Sequence, residues 1–176
     1  MASGPSLTPE DCETVRQSGH PSVVTNTTFR LAPWADVVFG MDVNWWREYH
    51  REVEAICSGR KLSTSHAARA YGAESLWQCG WFPNTLNSGQ AAITLAMVSG
   101  AEKIVLLGYD CQKTGGKSHH HGDHPNSLGN AGSLKRWPRH FEIMARDAQR
   151  DGVVVLNATR ETALKCFPRV SLESAL

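Results

Sequence analysis

The chain has 176 residues, with 18 basic against 17 acidic side chains and a formal net charge of +1. That length suits one domain, here residues 1–176, and lets the fold bury roughly 70% of its unfolded surface without a disulfide or metal staple. With 41% apolar and 20% charged residues the composition is globular; no apolar run approaches the ~20 residues of a membrane span, and the near-neutral charge gives no electrostatic reason to expect nucleic acid as a partner.

The opening Met1-Ala2-Ser3-Gly4 has neither the basic nor the apolar region of a secretory signal. The cysteines, Cys12, Cys57, Cys79, Cys111 and Cys166, are odd in number and form no CxxC pair. Both features predict free thiols in a reducing cytoplasm.

Short β-branched runs alternate with amphipathic stretches, which predicts an α/β fold with a mainly parallel sheet and helices on both faces. Thr8-Pro9-Glu10-Asp11 starts a helix that ends near Gly19: a capping hydroxyl, a proline suited to the first turn, and acids at the positive end of the dipole. Ser22–Thr25 reads as a strand ending at Asn26, and Asp36–Met41 as the next, ending at Asp42. Trp45, Tyr49, Val53 and Ile56 share one face of a helix. A short strand lies near Lys61–Thr64, and the segment Ala67–Pro83 has no clear period. Asn87-Ser88-Gly89 opens a helix running to Gly100. Ile104–Leu107 is a strand ending in Gly108-Tyr109-Asp110. A long polar loop extends from Cys111 to about Leu134. A helix then runs from Trp137 or Pro138 to Asp151-Gly152, followed by a strand, Val153–Leu156, ending at Asn157. A short helix over Arg160–Cys166 and an irregular tail close the chain.

Two positional regularities bear on function. Predicted strands finish in Asn26, Asp42, Asp110 and Asn157, and in open α/β sheets ligands bind outside the carboxyl ends of the strands. Each alone also suits a turn or a helix cap, Asp42 above all. Gly4-Pro5-Ser6-Leu7 is a glycine turn leading into a capped helix, a geometry that presents amides to an anion. Such a turn normally follows a strand, so the sheet is expected to lack its first, central strand. Either the chain is shortened there, a neighbouring chain supplies the strand, or the sheet closes without it.

The third feature is His119-His120-His121-Gly122-Asp123-His124, which holds half of the eight histidines. One imidazole can act as a general base near neutrality, or the group can bind a divalent metal. The HxHxDH spacing also matches the signature of metallo-β-lactamase-fold hydrolases, though that fold needs ligands further downstream, where His140 is the only histidine. Lys135, Arg136 and Arg139 bracket a helix start and suit a phosphate or a solvated surface. Trp77, Trp81 and Trp137 read as packing residues, with stacking on a base or sugar as the alternative.

In order, Gly4-Pro5-Ser6-Leu7, Asn26-Thr27-Thr28-Phe29, Asn87-Ser88-Gly89, Leu107-Gly108-Tyr109-Asp110 and the histidine loop form a series that resembles the bacterial sialyltransferase-like superfamily. That group includes the archaeal 6-hydroxymethylpterin diphosphokinase-like proteins and phage proteins. The phage members are nearest, on the compact length and on the Arg30-Leu31-Ala32-Pro33-Trp34 and Phe167-Pro168-Arg169 segments. The resemblance implies a Rossmann-like nucleotide-binding domain and a nucleotide-dependent glycosyl or phosphoryl transferase. It implies a nucleotide phosphate at Gly4, Pro5 and Ser6, and base or sugar contacts at Asn26, Asn87 and Ser88. It places Gly108 and Asp110 beneath the base or ribose, and the acceptor's base at His121 or His119, with His124 next. The substrate would be a CMP-, UDP- or GDP-linked donor or ATP, with no certain cofactor and a divalent metal left open. No membrane or nucleic-acid partner is expected, and a homo-oligomer is left open. Two other functions are carried alongside: a metal-dependent hydrolase built on His119–His124, and a non-catalytic nucleotide-binding or assembly protein of a phage, in which case the location is the host cytoplasm.

Overall fold

The computed structural model describes residues 1–76, 85–125, 128–129 and 132–176. Trp77, Cys79 and Trp81 lie outside the described residues, as do parts of the Ala67–Pro83 segment and of the loop after Cys111. The fold is α/β and Rossmann-like, and every strand pairing among the described residues is parallel. None of the described helices is long and apolar enough to cross a membrane.

Helix α1 spans Pro9–Ser18. Its start is a capping box in which Thr8 and Asp11 each satisfy the other's amide, and its end is Gly19 in the left-handed conformation, as glycine permits without steric cost. Strands β1 (Val23–Thr25), β2 (Val37–Phe39), β3 (Arg60–Ser63) and β4 (Glu74–Ser75) form one sheet in that order. Helix α2 (Val43–Ile56) connects β2 to β3. Helix α3 (Ser88–Val98) leads to β5 (Lys103–Leu106), and α4 (Trp137–Arg150) leads to β6 (Val154–Asn157), which pairs with β5.

Alternation along the strands sorts the helices to two faces. Val24 and Val38 pack with Cys12 and Val15 of α1 and with Trp45, Trp46 and Val53 of α2. Val23, Val37 and Phe39 turn the other way, toward Ala91 and Leu95 of α3. In β5 and β6, Ile104, Leu106 and Val155 meet Phe141, Met144 and Ala148 of α4. Ile56 departs from its expected place: at the last turn of α2 it is 47% exposed, beyond the reach of the sheet.

The expected gap at the sheet centre takes a specific form. Residues Met1–Gly4 lie between β1 and β5 and bond to both. The Met1 nitrogen donates to Val23 O (2.7 Å), and Met1 O accepts from Thr25 N (3.0 Å). On the other side Ala2 N donates to Leu107 O and Gly4 N to Gly108 O, both at 2.8 Å. Four residues thus join the two sheets at their carboxyl half. At the amino half, β1 and β5 instead flank a largely apolar cavity of about 530 Å³ lined by Met1, Val23, Val37, Ile93, Val105 and Leu107 among others.

The expected helix over Arg160–Cys166 is not formed. The Thr162 hydroxyl donates to Tyr109 O and accepts from Leu164 N, while Ala163 N donates to Asp110 O. These bonds dock the segment on the end of β5 and divert the groups a helix would use. A short helix, α5 (Leu172–Ala175), forms later in the tail.

Candidate functional site

A cleft of about 430 Å³ opens at the carboxyl ends of β1, β2 and β5. Its lining comes from segments far apart in sequence. Gly4 comes from the N-terminal turn, Asn26 and Asp42 from the ends of β1 and β2, and Asn87–Gly89 from the start of α3. Gly108–Cys111 follow β5, and the polar loop adds Ser118, His119 and His124. Arg136, Trp137 and His140 close it from the start of α4. Of the predicted residues, Gly4, Asn26, Asn87, Ser88, Gly108, Asp110, His119 and His124 therefore meet here. Pro5, Ser6 and His121 do not line the cleft, and neither do Asn157, Lys135 or Arg139.

The contacts refine several expectations. Asp110, 1% exposed, faces inward. One oxygen accepts from the Ser6 hydroxyl (2.8 Å); the other accepts from Ser6 N (3.0 Å) and the Thr114 hydroxyl (2.9 Å). Burial pushes its carboxyl above the usual range, against the pull of these bonds. Its role is to fasten the N-terminal turn beneath the cleft. The phosphate contact expected of Gly4-Pro5-Ser6 needs correction for the same reason. Gly4 N is committed to Gly108 O, Ser6 N to Asp110, and Leu7 N to Gly4 O, so these amides already donate within the protein. Asn157 is also diverted: its side-chain oxygen accepts from Thr159 N and its amide reaches Thr162.

Asn26 stands at the rim with φ of +49°, a conformation that asparagine tolerates better than most residues. Its side-chain oxygen accepts from the Ser88 hydroxyl at 3.4 Å. Asn87 caps α3 by accepting from Gln90 N at 2.9 Å. Asp42 sits at the cap position of α2 without a side-chain capping bond, leaving its carboxylate to the cleft. Arg136 is exposed at the mouth and brings a fixed positive charge.

The histidine loop is compact. Its amides tie it down, with His120 N donating to Ser3 O at 3.0 Å and Gly122 N to His119 O at 3.3 Å. The rings of His119 and His121 stack with centroids 5.1 Å apart and planes 3° from parallel, and His124 lies 4.5 Å from His121. Burial lowers the pKa of all four imidazoles, to about 4 at His120 and His124 and about 3 at His121; neighbouring imidazoles and Arg30 add to the effect at those three, while Asp123 opposes it at His119. The group is therefore neutral near pH 7. Behind it, the Tyr49 hydroxyl approaches Nδ1 of His124 at 3.4 Å. Tyr49 was legible only as a core residue of α2, and nothing local in the sequence linked it to a loop 75 positions on. Thr114 likewise went unmarked, and His140 was marked only as the one histidine downstream of the loop.

No family model, curated protein or solved structure matches this chain. The four cysteines among the described residues are free.

Proposed function

We propose that the chain binds a nucleotide in this cleft and transfers a glycosyl or phosphoryl group from it to a hydroxyl acceptor. The observation that carries the reading is the convergence of seven separate segments on one cleft at the carboxyl rim of a parallel sheet, the position where open α/β sheets hold ligands. The resemblance to sialyltransferase-like proteins named five of those segments, and it supplies the nucleotide.

The parts have distinct tasks in this reading. Arg136 pairs with phosphate oxygens and offsets the charge that develops on the leaving phosphate. Asn26 and Ser88, already bonded to one another, present amide and hydroxyl groups to a sugar or base. The acceptor enters along the His119 and His124 wall, where its hydroxyl is deprotonated. Asp110 acts indirectly, by holding Ser6 and the turn that forms the cleft floor. Positioning supplies most of the rate, since the donor carries its own leaving group.

The test is a thermal-shift screen with CMP, CDP, UDP, GDP and ATP. A nucleotide at 100 times its Kd stabilises a protein by about 2.7 kcal/mol, or about 5–10 °C for a chain of this size. The same nucleotide should shift the Arg136→Ala variant far less. If none of the five shifts the transition, the nucleotide reading fails.

A further inference from the structure

We propose that His119, His121 and His124 bind one zinc ion, with a coordination position left open toward the cleft. The site stands on the geometry of the loop and does not require a nucleotide.

One ring nitrogen from each of the three histidines lies within 4.8 Å of the others. Tetrahedral zinc with bonds of 2.0–2.1 Å places its donors about 3.3 Å apart, so closing the set needs a movement of about an ångström. His119 and His121 sit in one turn, closed by the bond from Gly122 N to His119 O, and their rings stack. The turn at Gly122, φ +86°, brings His124 back against them. His120 is not one of the three; its ring stands edge-on to His121.

Two further observations favour a ligand. The Nε2 atoms of His119 and His121, like that of His120, are buried and have no hydrogen-bond partner. Buried polar atoms left in that state cost free energy, and coordination would satisfy both at once. The Tyr49 hydroxyl lies 3.4 Å from Nδ1 of His124, the kind of support that stands behind a metal-bound imidazole. Three neutral imidazoles suit zinc among the divalent metals. His119 and His124 also line the cleft, so the fourth position faces the space assigned to the acceptor. A bound water there would lose a proton far more readily than free water, and the histidines would then act as ligands while the metal-bound hydroxide serves as base.

The experiment uses the chain without a polyhistidine tag, stripped by a chelator and titrated with cobalt(II) as a spectroscopic probe. The expected result is the intense visible absorption of four-coordinate cobalt, saturating at one ion per chain and bleached by one equivalent of zinc. His119→Ala and His121→Ala should each weaken binding by at least about 100-fold, Tyr49→Phe by about 10-fold, and His120→Ala should change it little. Binding well below one ion per chain overturns the proposal. So does equal loss in the His120 and His121 variants, which would mark an adventitious histidine tract. If His121→Ala does not fold by circular dichroism, His121→Asn takes its place. The nucleotide screen on metal-free protein fails or succeeds independently.

Discussion

Replacing Gly4 by alanine tests the joint between the two sheets. A Cβ at this position would lie well inside van der Waals contact of Asp110 Oδ1 and of the Gly108 carbonyl oxygen. The carbonyl is backbone and cannot rotate away. Gly108 is itself held at φ +70°, with the Ala2 carbonyl pressed against it. The turn must therefore shift as a unit. That shift breaks the Gly4–Gly108 bond, worth about 1 kcal/mol, and misaligns the two bonds from Ser6 to a buried carboxylate, each worth about 1.5–3 kcal/mol. The expected loss is about 4–7 kcal/mol, a large share of the 5–15 kcal/mol typical of a domain. Urea unfolding followed by tryptophan fluorescence gives the value. Gly132→Ala serves as the control, since that residue also lines the cleft but has open space around it; its loss should stay within about 0.5 kcal/mol. A Gly4→Ala loss below about 1 kcal/mol would show that the turn is not fixed by Asp110 and Gly108, and the account of the cleft floor would fall with it.

Two other expectations follow from named contacts. Asp11 shares in the capping box and also receives both guanidinium bonds of Arg160, at 2.8 and 3.0 Å. Asp11→Ala should cost about 1–2 kcal/mol, the cap plus a half-exposed ion pair, and Arg160→Ala no more than about 1 kcal/mol; equal losses in urea unfolding would deny the cap its share. In metal-free protein, the imidazoles of His120, His121 and His124 have folded pKa values depressed below the ordinary 6.5. The unfolded loop thus takes up more protons, so its stability is fullest above pH 6.5 and falls as pH drops toward 4. One group moved from 6.5 to about 4 contributes about 3 kcal/mol by the end of that range. The three rings are grouped in one loop and shifted in the same direction, so the loop should open before the core. Amide exchange at His120 should rise between pH 6.5 and 4.5, relative to Val38 and after correction for intrinsic rate; a single global transition would refute this.

Much of the fold was legible because its signals are local. Val-Val and Ile-Val runs mark the strands, and Thr8 to Asp11 marks a helix start within four residues. The rim was legible as well, since a polar residue after a buried run falls at the carboxyl edge by construction. What escaped the reading depends on distant partners. Asp110 and Asn157 look alike as strand-end residues, yet one underpins the cleft and the other ties Thr159 and Thr162 together. Ser6 looks like an anion-binding turn until the carboxylate 104 residues away takes its amide and hydroxyl. The two residues of β4 exist as a strand because β3 offers them a ladder, not because Glu-Ser favours extension. The histidine sequence showed that a metal was one option, but only folding shows which three of the four rings come together.

The position of Met1 has a practical side. Its nitrogen sits between two strands, at the threshold of the cavity they flank. Any purification handle fused ahead of it must thread that slot or wrench the first residues loose, whereas a handle attached after Leu176, which lines the same cavity, leaves the bond from the Met1 nitrogen to Val23 O in place. Recombinant material made the two ways should differ in melting behaviour, and the choice of cloning strategy is in effect an experiment on the middle of the sheet.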